Sequence, residues 1–188
     1  MTSLTGQLLV ATPRITEPMF RRSVVLLLHH DEGGAHGVVL NKPLGVDVDR
    51  VLPGWSSHLS GPGELFQGGP VGLDTALGLG WVVGVEDREG AGAPSIHRLF
   101  AAVGFVDLDA EPEQVARHTG ALRIFAGYSG WGAGQLEAEL GEGSWYVVSR
   151  EPTDPFTGEP GTLWRRVLRR QPGRLAFVAH LPEDPERN

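Results

Sequence analysis

The chain contains no cysteine among its 188 residues. This absence excludes disulfide bonds, thiolate nucleophiles, iron–sulfur clusters and zinc sites built on cysteine. Long apolar runs are also missing, because the longest, VVLLL at 24–28, is far too short to span a bilayer. The first residues lack a basic segment followed by a long apolar stretch, so we expect no secretory signal. Together these absences predict a soluble, cytoplasmic protein with no membrane association.

Lysine is almost absent as well. Lys42 is the only lysine, and arginine supplies the rest of the 16 basic residues against 23 acidic ones. The formal net charge is −7 at pH 7, which repels nucleic acid at long range. On net charge alone, we therefore do not expect nucleic acid to be a partner.

The residues that are present favour a packed domain built of short elements. Hydrophobic residues make up 40% of the chain, while 27 glycines and 14 prolines are scattered along it as turn signals. Short strands mix with short helices without a regular βαβ repeat. We therefore predict one α+β domain over residues 1–188, with a mixed, largely antiparallel sheet flanked by short helices.

The pattern of apolar and turn residues predicts the individual elements. Strands are expected at 7–13, 23–30, 36–41, 64–71, 77–85, 99–108, 121–128, 144–149 and 174–182. Helices are expected at 47–55, 111–120, 133–140 and 161–170, and an exposed loop at 86–95. The continuous apolar run at 23–30 is typical of a strand covered on both faces, and it should form a hairpin with 36–41.

Four glycines lie beside a tyrosine and a tryptophan in FAGYSGWGAGQLEAEL, residues 125–140. We expect a strand, a glycine turn and a helix here, with Tyr128 and Trp131 anchoring the turn. Such a junction can present free backbone N–H groups to an anion, or it can simply pack tightly. The G-x-S-x-G pattern of a nucleophilic serine fails, because Trp131 stands where the second glycine would be.

Two further turns, LNKP at 40–43 and QGGPV at 67–71, could meet this stretch in space. Convergence of the three would form a concave surface for a ligand or partner. Structural turns explain the same residues equally well, since Gly and Asn suit a positive φ. The candidate surface comprises Asn41, Lys42, Gly68, Gly69, Tyr128, Ser129, Gly130, Trp131 and Gln135.

The segment 161–170 is amphipathic, with one apolar and one guanidinium face. The guanidinium face consists of Arg165, Arg166, Arg169 and Arg170. It could meet nucleic acid or an acidic partner, or it could be a solvated surface.

Metal, cofactor and catalytic signatures are weak. A hairpin would bring His29 and His36 together, but His29 and His30 must face opposite sides of their strand. We predict one buried, hydrogen-bonded histidine and one exposed one, with no metal and no cofactor. No catalytic residue is assigned. The alternative of a hydrolase-like enzyme would use His29 or His36 with Glu137 and Ser129.

The motifs GQLLVATP, FRRSVVLLLHH, GVVLNKP, FQGGPV, FAGYSGWGAGQLEAEL and SWYVV, in this order over about residues 6–168, resemble the bacterial YqgE/AlgH family. The resemblance implies a single α+β domain with a bifurcated sheet or small barrel. The family has no established activity, although some members are described as transcriptional regulators. The sequence thus favours a non-enzymatic regulatory or binding protein with an unknown protein or small-molecule partner. An enzyme and a nucleic-acid binder remain the alternatives.

Overall fold

The computed structural model describes residues 2–84 and 95–183. Within these ranges the strands are β1 Leu8–Ala11, β2 Val24–Asp31, β3 Gly34–Val39, β4 Pro43–Asp47, β5 Glu64–Gln67, β6 Val71–Val82, β7 Ile96–Phe100, β8 Val103–Val106, β9 Thr119–Gly132 and β10 Trp145–Val148. The α-helices are α1 Pro112–Ala116, α2 Gln135–Gly141, α3 Leu163–Arg169 and α4 Leu175–Val178. Short 3-10 helices lie at Val48–Arg50, Ser56–His58, Asp154–Phe156 and Pro160–Thr162. No helix of the described ranges is long and apolar enough to cross a membrane.

The strands form one curled sheet in the order β10-β1-β2-β3-β9-β6-β8-β7, with β5 beside β9 and β4 beside β5. Each recorded pair is antiparallel except β5 with β9, which is parallel. The predicted α+β fold with a largely antiparallel sheet and short helices is confirmed.

Strand β9 is where the sheet divides. Its residues 129–132 pair with β3, whereas Phe125 and Ala126 pair with β5, and β6 runs along its other edge. Gly127 lies at the change of partner with φ +69°, a left-handed conformation that suits glycine. A Cβ there would lie 2.7 Å from the carbonyl oxygen of Gly69. The glycine therefore lets one strand serve both branches of a bifurcated sheet.

Several elements differ from the sequence prediction. The helix expected at 47–55 is only a 3-10 helix at Val48–Arg50, because the chain before it belongs to strand β4. The expected glycine turn after residue 128 is the continuing strand β9, because its backbone is paired with β3 as far as Gly132. The single strand expected at 99–108 is instead the end of β7 and the whole of β8, joined by a turn at Ala101 with φ +46°. The strand expected at 174–182 is wrong, because Leu175, Val178 and Ala179 pack on the core at helical spacing. The loop expected at 86–95 lies, up to residue 94, outside the described residues.

The β2–β3 hairpin and its two covered faces are confirmed. Residues of β1–β3 alternate between two apolar cores, as successive side chains of a strand must. One core takes Leu8, Val10, Val24, Leu26, Leu28 and Val38, and the opposite core takes Leu9, Ala11, Val25, Leu27, Ala35 and Val39.

Helix α3 covers the first of these cores. Its buried face is Leu163, Trp164, Val167 and Leu168, which confirms the predicted amphipathic helix. The indole Nε1 of Trp164 donates a hydrogen bond of 2.9 Å to the carbonyl of Ala11. This bond ties α3 to the end of β1, where the chain leaves the sheet.

We expect Gly127→Ala to lower the free energy of unfolding by about 2 kcal/mol or more, because a non-glycine residue is strained at this φ and its Cβ meets a carbonyl. The matched control is Gly132→Ala on the same strand, where nothing lies within 4 Å of an added Cβ. Urea denaturation of both variants measures the difference. Equal stability of the two variants would contradict the role given to Gly127.

Candidate functional site

A cleft opens beside α3, between the segment that follows β1, the turn that follows β3 and residues 181–183. It consists of two adjoining hollows with volumes of about 720 Å³ and about 460 Å³. Both hollows are lined by Thr16, Arg21, Arg22, Trp164 and Glu183. The smaller hollow adds Pro18, Asn41, Lys42, Gly161 and Arg165, and the larger adds Thr12, Pro13, Ile15, Leu181 and Pro182. We call this the cationic cleft.

Arg22 lies at the centre of the cationic cleft in an unusual conformation. Its φ is +53°, and Ala101 is the only other non-glycine residue of the described ranges with a positive φ. The guanidinium carbon lies 4.5 Å from the centroid of the Trp164 ring, and Nη2 donates to the carbonyls of Leu181 at 2.8 Å and Pro182 at 2.9 Å. A left-handed conformation costs a non-glycine residue about 1–2 kcal/mol, so the surroundings must hold Arg22 in place.

The Asn41-Lys42 turn supplies that hold. The Asn41 side-chain amide donates to the carbonyl of Arg22 at 2.9 Å, and its Oδ1 accepts from the backbone N–H of Val24 at 3.0 Å. Lys42 Nζ donates to the carbonyl of Arg21 at 2.8 Å. The side chains of Asn41 and Lys42, both predicted from the sequence as part of the candidate surface, therefore lie at the cleft and form hydrogen bonds to the backbone of residues 21–24.

Positive charge is concentrated in the cationic cleft. Burial lowers the pKa of Arg22, and the positive charge of Arg165 lowers it further. Burial likewise lowers the pKa of Lys42, with a second contribution from Arg21. Among the described residues that line the cleft, the one carboxylate is that of Glu183, which lies 4.0 Å from Arg22 Nη1 and 3.9 Å from Arg165 Nη2.

The two glycines of the QGGPV turn lie elsewhere, packed against β9. A Cβ on Gly68 would lie 2.4 Å from the Gly127 carbonyl oxygen, and one on Gly69 would lie 2.2 Å from the Tyr128 carbonyl. The Ser129 hydroxyl is buried and donates to the Gly68 carbonyl at 3.0 Å. Two of the predicted turns thus meet, but they meet backbone to backbone and leave no room there for a side chain.

The remaining residues of the predicted surface flank this contact, and none of them lines the cationic cleft. The Tyr128 ring packs on His36 with centroids 5.6 Å apart. Trp131 is buried and donates from Nε1 to Glu139 Oε2 at 2.6 Å. Gln135 Oε1 accepts from the Gly132 N–H at 3.1 Å, and Gly130 lies between Tyr128 and Trp131 in β9. A binding role for these residues stays a prediction.

The four arginines of α3 and its end do not form one free surface. Arg170 makes a double contact with the buried carboxylate of Asp154, at 2.8 and 2.5 Å, which raises its pKa. Arg166 donates to the Thr157 hydroxyl at 2.5 Å, and Arg165 donates to the Ala179 carbonyl at 2.6 Å.

Arg169 is the exception, because its guanidinium has no hydrogen bond or ion pair within the described part of the chain. The helix therefore offers one unengaged arginine to solvent, and Arg165 to the cationic cleft.

The histidines adopt the predicted division. His29 is exposed and pairs with Asp31 at 2.8 Å, whereas His30 is buried, accepts from the Leu4 N–H at Nδ1 and contacts Glu137 through Nε2 at 2.7 Å. The hydrogen bond with His30 lowers the pKa of the Glu137 carboxyl.

His36 lies opposite His29 in the hairpin register. No group of three or more His, Asp or Glu residues suited to a metal occurs in the ranges that the structure describes.

Known proteins are similar to this chain in sequence and in fold. A family model described as AlgH-like matches residues 8–176. UPF0301 proteins of Streptomyces avermitilis and Streptomyces coelicolor are 55% and 56% identical over 188 residues, covering 100% of this chain and 97% of each relative. The crystal structure of protein DIP2367 from Corynebacterium diphtheriae matches with a TM-score of 0.84 and 32% identity, over 94% of this chain and 91% of that one. The solution structure of the AlgH protein from Pseudomonas aeruginosa matches with a TM-score of 0.70 and 26% identity, over 97% and 96%.

The divided, curled sheet with its few short helices is thus the fold of a known class of bacterial α+β proteins. This chain belongs to the AlgH-like family, UPF0301, also called YqgE/AlgH. The resemblance inferred from its motifs is confirmed.

Arg170→Ala should lower the free energy of unfolding by about 2–3 kcal/mol, because it leaves the buried Asp154 carboxylate without its cation. The control Arg169→Ala removes an exposed, unengaged arginine one position earlier and should change stability by less than about 0.5 kcal/mol. Urea unfolding of the two variants makes the comparison. If both variants unfold like the unmodified chain, then the Asp154–Arg170 pair does not hold α3.

Proposed function

We propose that this chain is a binding protein, without catalysis of its own, and that the cationic cleft holds a small-molecule ligand. The observation that carries the proposal is Arg22, a strained residue that Asn41 fixes against Trp164 in an open cleft. Backbone strain persists only where the surrounding structure maintains it, and it concentrates at ligand-binding and active sites. A concave site of several hundred Å³ with a few fixed polar groups is typical of small-molecule binding.

The arrangement of the other polar residues supports binding over hydrolysis. The lining of the cationic cleft, as far as the structure describes it, includes no histidine. The Ser129 hydroxyl is committed to a carbonyl, and His30 and Glu137 are committed to each other. A regulatory role, a cytoplasmic location and the absence of a nucleic-acid partner stay predictions, as does the alternative of nucleic-acid binding through the α3 arginines.

A thermal-shift and calorimetric screen against nucleotides, sugar phosphates, carboxylic acids, amines and neutral sugars tests this function. We expect at least one compound to bind. Thr16 lines both hollows, so the larger indole side chain of Thr16→Trp would occupy part of the cleft and should weaken that binding by about tenfold or more.

The matched control is Glu17→Trp, since Glu17 is exposed and adjacent but does not line the cleft. It should leave affinity within about twofold of the unmodified chain. Binding that Thr16→Trp leaves unchanged would move the site elsewhere, and a panel without any bound compound would reject the proposal.

A further inference from the structure

The chain places one of its own carboxylates in the cationic cleft. Residues 181–183 line the cleft, with the Leu181 and Pro182 carbonyls accepting from Arg22. The Glu183 carboxylate then stands between Arg22 and Arg165, about equidistant from the two guanidinium groups at 4.0 and 3.9 Å. This position is one where two arginine side chains can reach the same oxyanion.

The Glu183 carboxylate interacts only weakly with the two arginines. Its side chain is 75% exposed, and both distances exceed the length of a hydrogen bond. Exposed ion pairs of this kind contribute little, because water competes with both partners. An anion that makes direct hydrogen bonds to the same guanidinium groups would therefore replace it.

The charges of the described residues that line the cleft do not balance. Among these residues, Arg21, Arg22, Lys42 and Arg165 face the single carboxylate of Glu183. The Arg21 guanidinium makes no hydrogen bond or ion pair within the described residues, so it is available to a ligand. One monoanion leaves this cluster strongly positive, whereas a phosphate monoester carries close to two negative charges and several acceptor oxygens. Arginine is the side chain best matched to such a group.

We propose that the cationic cleft binds the phosphate group of a small phosphorylated molecule between Arg22 and Arg165, and that Glu183 occupies this position when no ligand is bound. The inference rests on the proposed function and names its ligand class. The Glu183 carboxylate is then an internal competitor, which the incoming phosphate displaces.

The test uses inorganic phosphate as the probe, with the full chain and calorimetry at constant ionic strength set by chloride. Glu183→Gln keeps the shape of the side chain and removes its charge, so phosphate no longer has to displace a carboxylate from the two guanidinium groups. It should therefore bind about fivefold more tightly, as expected for the loss of one exposed ion pair. Arg21→Gln should bind phosphate at least about fivefold more weakly.

The matched control for Arg21→Gln is Arg169→Gln. Both arginines are exposed and unengaged among the described residues, and both substitutions change the net charge equally, but only Arg21 lines the cleft. Arg169→Gln should therefore keep the affinity of the unmodified chain. Thermal midpoints of all variants check that each is folded.

Equal phosphate affinity in Arg21→Gln and Arg169→Gln, or no gain in Glu183→Gln, overturns the inference. Absence of phosphate binding in Glu183→Gln overturns it as well. If a neutral or cationic compound binds and Thr16→Trp blocks it while phosphate fails these tests, the binding function stands and only the ligand class is wrong. If neither phosphate nor any panel compound binds, both proposals fall.

Discussion

A buried arginine on β9 fixes the position of the segment 154–157, which lies against the sheet next to α3. Arg123 is 1% exposed, and it donates to the carbonyls of Ser60, Pro155 and Thr157 while its guanidinium lies 4.2 Å from the Phe66 ring centroid. Burial lowers its pKa to about 10, which still leaves it charged at neutral pH. A buried cation costs several kcal/mol unless its donors are satisfied. Nη1 and Nη2 donate to these carbonyls, whereas the buried Nε has no hydrogen-bond partner among the described residues. The carbonyls of Pro155 and Thr157 must therefore stay in place around the guanidinium.

The position of α3 follows from this constraint. The segment that Arg123 holds supplies Asp154 to Arg170 and Thr157 to Arg166, so two arginines of the helix region are engaged in structure. With α3 fixed, Trp164 reaches the end of β1 and supports Arg22, and Arg165 faces the cationic cleft. The cleft is thus a consequence of how the helix is anchored to the divided sheet.

Sequence patterns predicted those parts of the molecule that depend on local periodicity. The apolar run of β2 predicts a strand buried on both faces, and the structure has that strand. The apolar and arginine faces of α3 predict an amphipathic helix, which the structure also has, because burial of one face determines the spacing of its apolar residues. The glycine stretch predicts a turn, but glycine density does not distinguish a turn from a strand that changes partners at Gly127. For α4, the spacing of Leu175, Val178 and Ala179 did carry a helical signal.

The candidate site was only partly accessible from sequence. Asn41, Lys42 and Arg165 were singled out, but their meeting with Arg22 and Glu183 depends on contacts between distant segments, which no local pattern records. The most direct test of phosphate binding in the cleft is a crystal structure of the unmodified chain with arsenate, a phosphate analogue whose arsenic scatters anomalously. We expect an anomalous peak between the guanidinium groups of Arg22 and Arg165, with the Glu183 carboxylate moved away. Arsenate bound only elsewhere, with Glu183 still between the two arginines, would contradict it.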